Sequence, residues 1–420
     1  MLKIISSDKY NPRYHDLVDS ETLGVARHIV DDVRNRGEAA LREHAERLGD
    51  IPAGAPLLIG RKELGDALDF IPRADRELLE RVAGRIRAFA DAQRKSVSEI
   101  EVKIRGGSAG QFIEPVESAG CYAPGGRYPL PSSVLMTAVT ARAAGVKKVI
   151  VASPRSSLYT LAAAAIADAD MLLAAGGAQA IAALAYGAGS IPSCDIIVGP
   201  GNRYVAAAKR IVSGTVGIDL QAGPSELVVL ADSDSDPAFV AMDLLAQAEH
   251  DADAVPILVA IGQKIADAVN REIARALASL PTRSTAESSL KNGFAVVVRD
   301  LDEAIEICDR IAPEHLSLQL NDAAAVIRRF KHYGALFIGG LSTEALGDYG
   351  AGPNHTLPTG RAARFTGGLS VFNFLRIRTW LQMHDAGEGR GIIADSARLG
   401  EIEGLSAHAA SASMRLRSNR

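Results

Sequence analysis

The sequence predicts an α/β fold of two modules, each a parallel-rich sheet flanked by helices, with the first inserted between portions of the second. Three observations carry that expectation. From Glu114 onward, short β-branched runs alternate with Ala-rich helical stretches, the rhythm of βαβ units. A second alternation of the same kind begins after the turn Ala222-Gly223-Pro224. The 420 residues suffice for two or three domains with a substantial buried core.

Taken in order, residues 20–50 and 74–100 place apolar side chains at helical spacing among charges, as in Val25, Ile29, Val33 and Ala40. A helix over 138–144 leads into the strand KKVIVASP; a second helix covers 162–169, and DIIVGPGN joins a strand at 196–198 to a third. In the second region ELVVLAD, PILVAI, FAVVV and ALFIGG read as strands. Helices at Pro237–His250, 265–277 and 302–311 separate them, and the tail from Leu369 ends in a helix. The expected division is an N-terminal segment 1–20, a discontinuous α/β domain of 21–121 and 227–368, an inserted domain 122–226, and a C-terminal helical segment 369–420. No repeat at solenoid spacing and no low-complexity tract interrupts it.

Lys and Arg number 46 against 50 Asp and Glu, a formal net charge of -4. That balance gives no pull toward nucleic acid or anionic membrane, and an aromatic content of 5% is too sparse for base-stacking platforms. The three cysteines, Cys121, Cys194 and Cys308, form no CxxC pair and sit among apolar residues as packing groups. The opening MLKIISSDKY lacks the apolar core of a signal peptide. No apolar run reaches the roughly 18–20 residues of a membrane span, so the expected compartment is the cytoplasm and the expected partner a small molecule.

Four segments could carry chemistry. Gln247 and His250, three apart on one helical face, could offer an oxygen and an imidazole nitrogen to one metal ion. Taken alone, the pair reads equally well as a solvated helix end. Glu314 and His315 follow a helix-ending proline; the imidazole suits proton removal from an alcohol and the carboxyl a second proton transfer. Asp348 sits in the glycine-punctuated loop GDYGAGPNH, where backbone can approach a ligand closely. Glu403 and His408, five apart, bracket a turn. No GxGxxG follows the first strand and there is no Walker A lysine; three glycine turns, at 120–126, 176–179 and 199–202, are each weak cofactor signals.

Together the segments GCYAPGGRYPLPSSVLM, AAGGAQAIAALAYG, IIVGPGNRYV, AGPSELVVLAD, DLLAQAEHD, APEHLSL, ALGDYGAGPNHTLPTGRAARF and IEGLSAH resemble the signature segments of the histidinol dehydrogenase family, in family order, from about residue 20 to the C-terminus. The resemblance implies two Rossmann-like modules that lack the usual dinucleotide fingerprint, in a homodimer that exchanges small N- and C-terminal dimerisation segments. It implies oxidation of L-histidinol to L-histidine through an aldehyde, with reduction of two NAD. It further implies one zinc per subunit held by Gln247, His250, Asp348 and His408, the last from the other subunit. By the same resemblance His315 is the general base and Glu314 activates water. Tyr122, Gln179 and Asn202 contact NAD, while Ser225, Gln247, His250, His315, Asp348, Glu403 and His408 contact substrate. Two stretches depart from the family pattern: 371–393, with Arg376, Arg378 and Trp380, and GGRYPLPSS, with Arg127 and Tyr128 where smaller residues are expected. They leave open a paralogue acting on another polar alcohol, such as a dihydroxypropane sulfonate.

Overall fold

The structure, a computed structural model, describes residues 1–11, 18–125, 129–220 and 223–416. Arg127 and Tyr128 lie outside them. Two six-stranded sheets organise the chain. In the first, the order is Leu58–Gly60, Met171–Leu173, Lys148–Ala152, Ser118–Tyr122, Ile196–Val198 and Gly217–Ile218, parallel except for the edge strand Leu58–Gly60. In the second, all parallel, it is Lys3–Ser6, Phe294–Val298, Val255–Ile261, Glu226–Ala231, His315–Gln319 and Ala335–Ile338. Helices cover both faces, which is why central strands such as Glu226–Ala231 and Ile196–Val198 read as unbroken apolar runs rather than alternations.

Local chemistry sets the element ends that later position the site. Asp236 caps the helix Pro237–His250 by accepting from the Ala238 N–H, and Pro237 occupies a first-turn position that needs no donor. The Asp300 carboxylate caps Leu301–Ile311 in the same way, through the Glu303 N–H. That helix stops at Ala312, which adopts a left-handed φ of 51°, immediately before Pro313. The chain then enters the strand that His315 opens.

The structure redraws the expected domain division. The helices Ser20–Arg36, Glu38–Arg47 and Arg73–Lys95 do not join 227–368; their apolar stripes share one core with 119–216 and with Leu369, Val371 and Phe374. The N-terminal strand Lys3–Ser6 instead completes the second sheet beside Phe294–Val298. The second sheet carries a separate apolar cluster on each face. An amphipathic pattern shows that a helix has an apolar stripe, not which sheet receives it.

The stretch 371–393 also proves to be more than a tail. Leu375–Met383 is a strand pairing antiparallel along Gly107–Pro115, which pairs in turn with Ile100–Ile104. Trp380 stacks on Phe112 with ring centroids 5.9 Å apart. The helices Arg390–Ile402 and Ser406–Arg415 follow and pack on each other.

Candidate active site

His315 is the first residue of its strand, paired with Leu227 on one side and Ala335 on the other, at the amino end of the second sheet. The helix Pro237–His250 follows one parallel strand and precedes the next, so it runs back across the sheet. Its last turn, with Gln247 and His250, therefore reaches this same end. The short helix Glu344–Asp348 is tied to it by a 2.9 Å hydrogen bond from the Thr343 hydroxyl to Asp243.

The hydrogen bonding of His315 fixes its tautomer. Nδ1 lies 3.2 Å from the Glu226 main-chain oxygen. A carbonyl can only accept, so Nδ1 carries the proton and Nε2 the lone pair. Nε2 is buried without a hydrogen-bond partner and lies 4.0 Å from an Asp348 carboxylate oxygen. Burial pushes the imidazole down to about 4, against a smaller opposing pull from Asp348. At neutral pH the ring is uncharged and able to take a proton.

Two buried acids flank it. Glu314 accepts the Glu226 N–H at 2.9 Å and lies 3.8 Å from His315 Nδ1; burial pushes its carboxyl well up. Glu344, only 4% exposed, also comes within 3.8 Å of Nδ1 and leaves one oxygen without a partner. Burial, then repulsion from Asp348 and Glu314, raises it as well. One potential ligand atom from each of His315, Glu344 and Asp348 lies within 4.8 Å of the others. Gln247 is fully buried with both amide atoms unpartnered. Burying an amide with no hydrogen bond costs about 1–3 kcal/mol, and a cation on the amide oxygen offsets part of that cost. Oxygen and imidazole donors of this kind suit a divalent transition ion with open positions.

The cluster faces the first module. His355 donates from Nδ1 to the Asp348 main-chain oxygen at 2.9 Å, leaving Nε2 3.3 Å from the Ser133 hydroxyl. Asn354 donates to the Met136 carbonyl at 2.8 Å. Ser133 and Met136 belong to Pro131–Ala144, the helix that follows the strand Ser118–Tyr122. The amino end of one sheet thus meets the carboxyl end of the other. There the strand order reverses about Ser118–Tyr122, the place where open parallel sheets form a ligand crevice.

The three residues expected to touch NAD all stand at that carboxyl end. Tyr122 is buried, and its hydroxyl accepts the Gly177 N–H at 3.2 Å. Gln179 donates to Asp50 at 2.8 Å and leaves its own oxygen unpartnered. Asn202 caps Arg203–Val212 by accepting from the Tyr204 and Val205 N–H groups. The Gly199 turn is pinned from behind by the buried pair Lys209–Asp219: Lys209 donates to the Gly199 carbonyl at 3.0 Å, and Asp219 accepts the Gly199 N–H at 2.7 Å.

The structure brings Glu314, His315 and Asp348 together and places Gln247 and His250 at the same end; His315 feels the charge of His250. Ser225 precedes Glu226 and bonds Glu314. Glu403 and His408 are exposed, at the turn between the last two helices and in the second of them, and no hydrogen bond among the described residues joins them to the cluster. Sequence reasoning missed Glu344. The signal was present: Glu344 precedes Asp348 by four, hence shares its helical face.

A family model described as histidinol dehydrogenase matches residues 14–416. Histidinol dehydrogenase of Dechloromonas aromatica (strain RCB) is 45% identical over 399 residues, covering 92% of this chain and 91% of its own. That of Aromatoleum aromaticum is 46% identical over 396 residues, covering 92% and 90%. The solved structure of histidinol dehydrogenase from Elizabethkingia anophelis superposes with a TM-score of 0.90 at 29% identity, covering 99% of this chain and 98% of that one. Two facing α/β modules with a buried acid–imidazole cluster between them define an NAD-dependent oxidoreductase. Within that class, the chain belongs to the histidinol dehydrogenase family.

Proposed function

We propose that the chain oxidises L-histidinol to L-histidine through L-histidinal, reducing two NAD. The observation that carries this reading is His315: uncharged, its proton held at Nδ1 by a backbone carbonyl, and a free lone pair at Nε2 inside the cluster. In the first oxidation His315 Nε2 takes the hydroxyl proton while the carbinol hydride passes to NAD, giving aldehyde and NADH. In the second, Glu314 takes a proton from water as the water oxygen bonds the aldehyde carbon. The hydrate then gives its hydride to a second NAD, leaving the carboxylate.

Gln247, His250 and Asp348 would hold a zinc ion, with His408 of the partner subunit completing the set. Bound zinc would supply a template, orienting the substrate's imidazole and amine so that the carbinol carbon meets the nicotinamide. The exposed position of Glu403 and His408 in a single chain supports a homodimer in which each copy completes the other's site. Tyr122, Gln179 and Asn202 would contact NAD, and Ser225 and Glu403 the substrate. No helix among the described residues is long and apolar enough to cross a membrane, and Cys121, Cys194 and Cys308 are buried free thiols; a cytoplasmic location fits both. The divergent stretch 371–393 pairs with Gly107–Pro115 and makes no hydrogen bond to the cluster among the described residues, so it lends a different alcohol no support.

The test is direct. Zinc-loaded protein given L-histidinol and NAD should form two NADH per substrate consumed. Turnover of a dihydroxypropane sulfonate with none of histidinol would replace the substrate, and no NADH from either alcohol would overturn the reading.

A further inference from the structure

We propose that the cofactor crevice includes a subsite for a 2′-phosphate centred on Arg155, so that this chain takes NADP as well as NAD. The inference rests on the reading above, that a nicotinamide dinucleotide lies across the carboxyl ends of the first sheet.

In doubly wound sheets the adenosine ribose lies over the end of the strand next to the central one, on the side away from the switch in strand order. An acidic side chain there accepts from the ribose 2′-hydroxyl, whereas an arginine takes a 2′-phosphate. Here the central strand is Ser118–Tyr122, the switch lies toward Ile196–Val198, and the neighbour on the other side is Lys148–Ala152. That neighbour runs out into Ser153-Pro154-Arg155. No acid follows it, and the first charged side chain is a guanidinium.

The backbone holds Arg155 in place. Its φ is 48°, in the left-handed region that a non-glycine residue rarely adopts, and its N–H is fastened to the Asp50 carbonyl at 3.0 Å. Such conformations persist only where the surroundings impose them, and they gather at ligand sites. The side chain is exposed and forms no hydrogen bond or ion pair among the described residues. It is therefore a cation whose charge nothing nearby neutralises.

Its neighbours are the segments expected to hold NAD. Pro154 packs so closely on both glycine turns that a Cβ on Gly176 would meet its ring at 2.7 Å, and one on Gly125 its carbonyl at 2.3 Å. The one carboxylate in this patch that could have served the ribose is already engaged: a single Asp50 oxygen accepts both the Gly176 N–H at 2.9 Å and the Gln179 amide at 2.8 Å. Asp50 thus orients Gln179 from behind, and the outward position belongs to Arg155. A doubly charged phosphate finds there a planar guanidinium able to make two parallel hydrogen bonds.

The experiment compares NADP with NAD as hydride acceptors for zinc-loaded enzyme and histidinol, in the wild type, Arg155→Gly and Arg155→Lys. Glycine removes the charge and suits the positive φ, so it does not add strain. Binding of NAD, NADP and 2′,5′-ADP to each protein is titrated in parallel. The wild type should turn over NADP and bind 2′,5′-ADP. Arg155→Gly should lower the ratio of NADP to NAD efficiency by about tenfold or more, the worth of a charged hydrogen bond, with Arg155→Lys between. Wild-type turnover of NAD with none of NADP, or an unchanged ratio in Arg155→Gly, overturns the subsite and leaves the NAD reading standing. Failure to bind either dinucleotide overturns both.

Discussion

Replacing Lys209 by methionine should destabilise the first module by about 3–5 kcal/mol, the cost of leaving one member of a buried ion pair without the other. The side chains of Lys209 and Asp219 are 2% and 0% exposed. Methionine fills nearly the same volume but cannot donate, so the Gly199 carbonyl and an Asp219 oxygen each lose a partner. Asp219 keeps the Gly199 and Leu220 N–H groups, both at 2.7 Å, which holds the loss near the lower end, about 3 kcal/mol. Lys209→Met/Asp219→Asn removes the uncompensated charge while retaining an acceptor, and should recover a large part of the loss. Urea unfolding followed by circular dichroism measures it, read on the first transition because two modules need not unfold together. Since the pair pins the Gly199 turn, the KM for NAD should rise in the single variant. A loss under about 1 kcal/mol, or a double variant no more stable than the single, would show that the pair does not clamp the turn.

Gly199→Ala should damage the same turn by another route: Gly199 has a φ of 115°, and a Cβ would fall 2.0 Å from the Tyr122 carbonyl, so a lowered melting temperature and weakened NAD binding are expected. Wild-type values for both would mean that the turn has room. Glu226→Gln should alter how stability depends on pH. Burial raises the Glu226 carboxyl to about 7, so between 4.5 and 7 the folded state binds a proton that the unfolded chain has released. The wild type therefore loses stability as pH rises through that window, by roughly 2 kcal/mol once partial exposure is allowed for. Urea midpoints of the two proteins should diverge in the variant's favour from pH 5 to pH 8, and parallel curves would contradict the assignment.

The sheets were legible in the sequence because their central strands are buried on both faces: ELVVLA, PILVAI and FAVVV cannot be read as alternating surface strands. The helix Pro237–His250 was legible for its proline and aspartate start. Partnerships across long separations were not. Nothing in the alternation of LRIRTWLQM names Gly107–Pro115, some 260 residues earlier, as its neighbour, and the stripes of Ser20–Arg36 and Arg73–Lys95 do not say which sheet they cover. In the site, Glu314, His315 and Asp348 stood out through adjacency to proline and glycine. Glu344 was hidden because a glutamate before a polar loop resembles a solvated one, and only the fold buries it. His408 is the reverse case: family resemblance assigns it to the metal, while a single chain leaves it on the surface.

The central claim is that His315, neutral and aimed through Nε2, is the base. Asparagine at this position retains an N–H for the Glu226 carbonyl but offers no imidazole lone pair. The decisive measurement is kcat for histidinol in His315→Asn, made alongside its zinc content and its affinity for NAD. The account predicts a kcat lower by about a hundredfold or more, the usual contribution of a general base, with metal and NAD still bound. Near-normal turnover would remove His315 from the chemistry, and loss of the metal together with activity would make it a ligand instead.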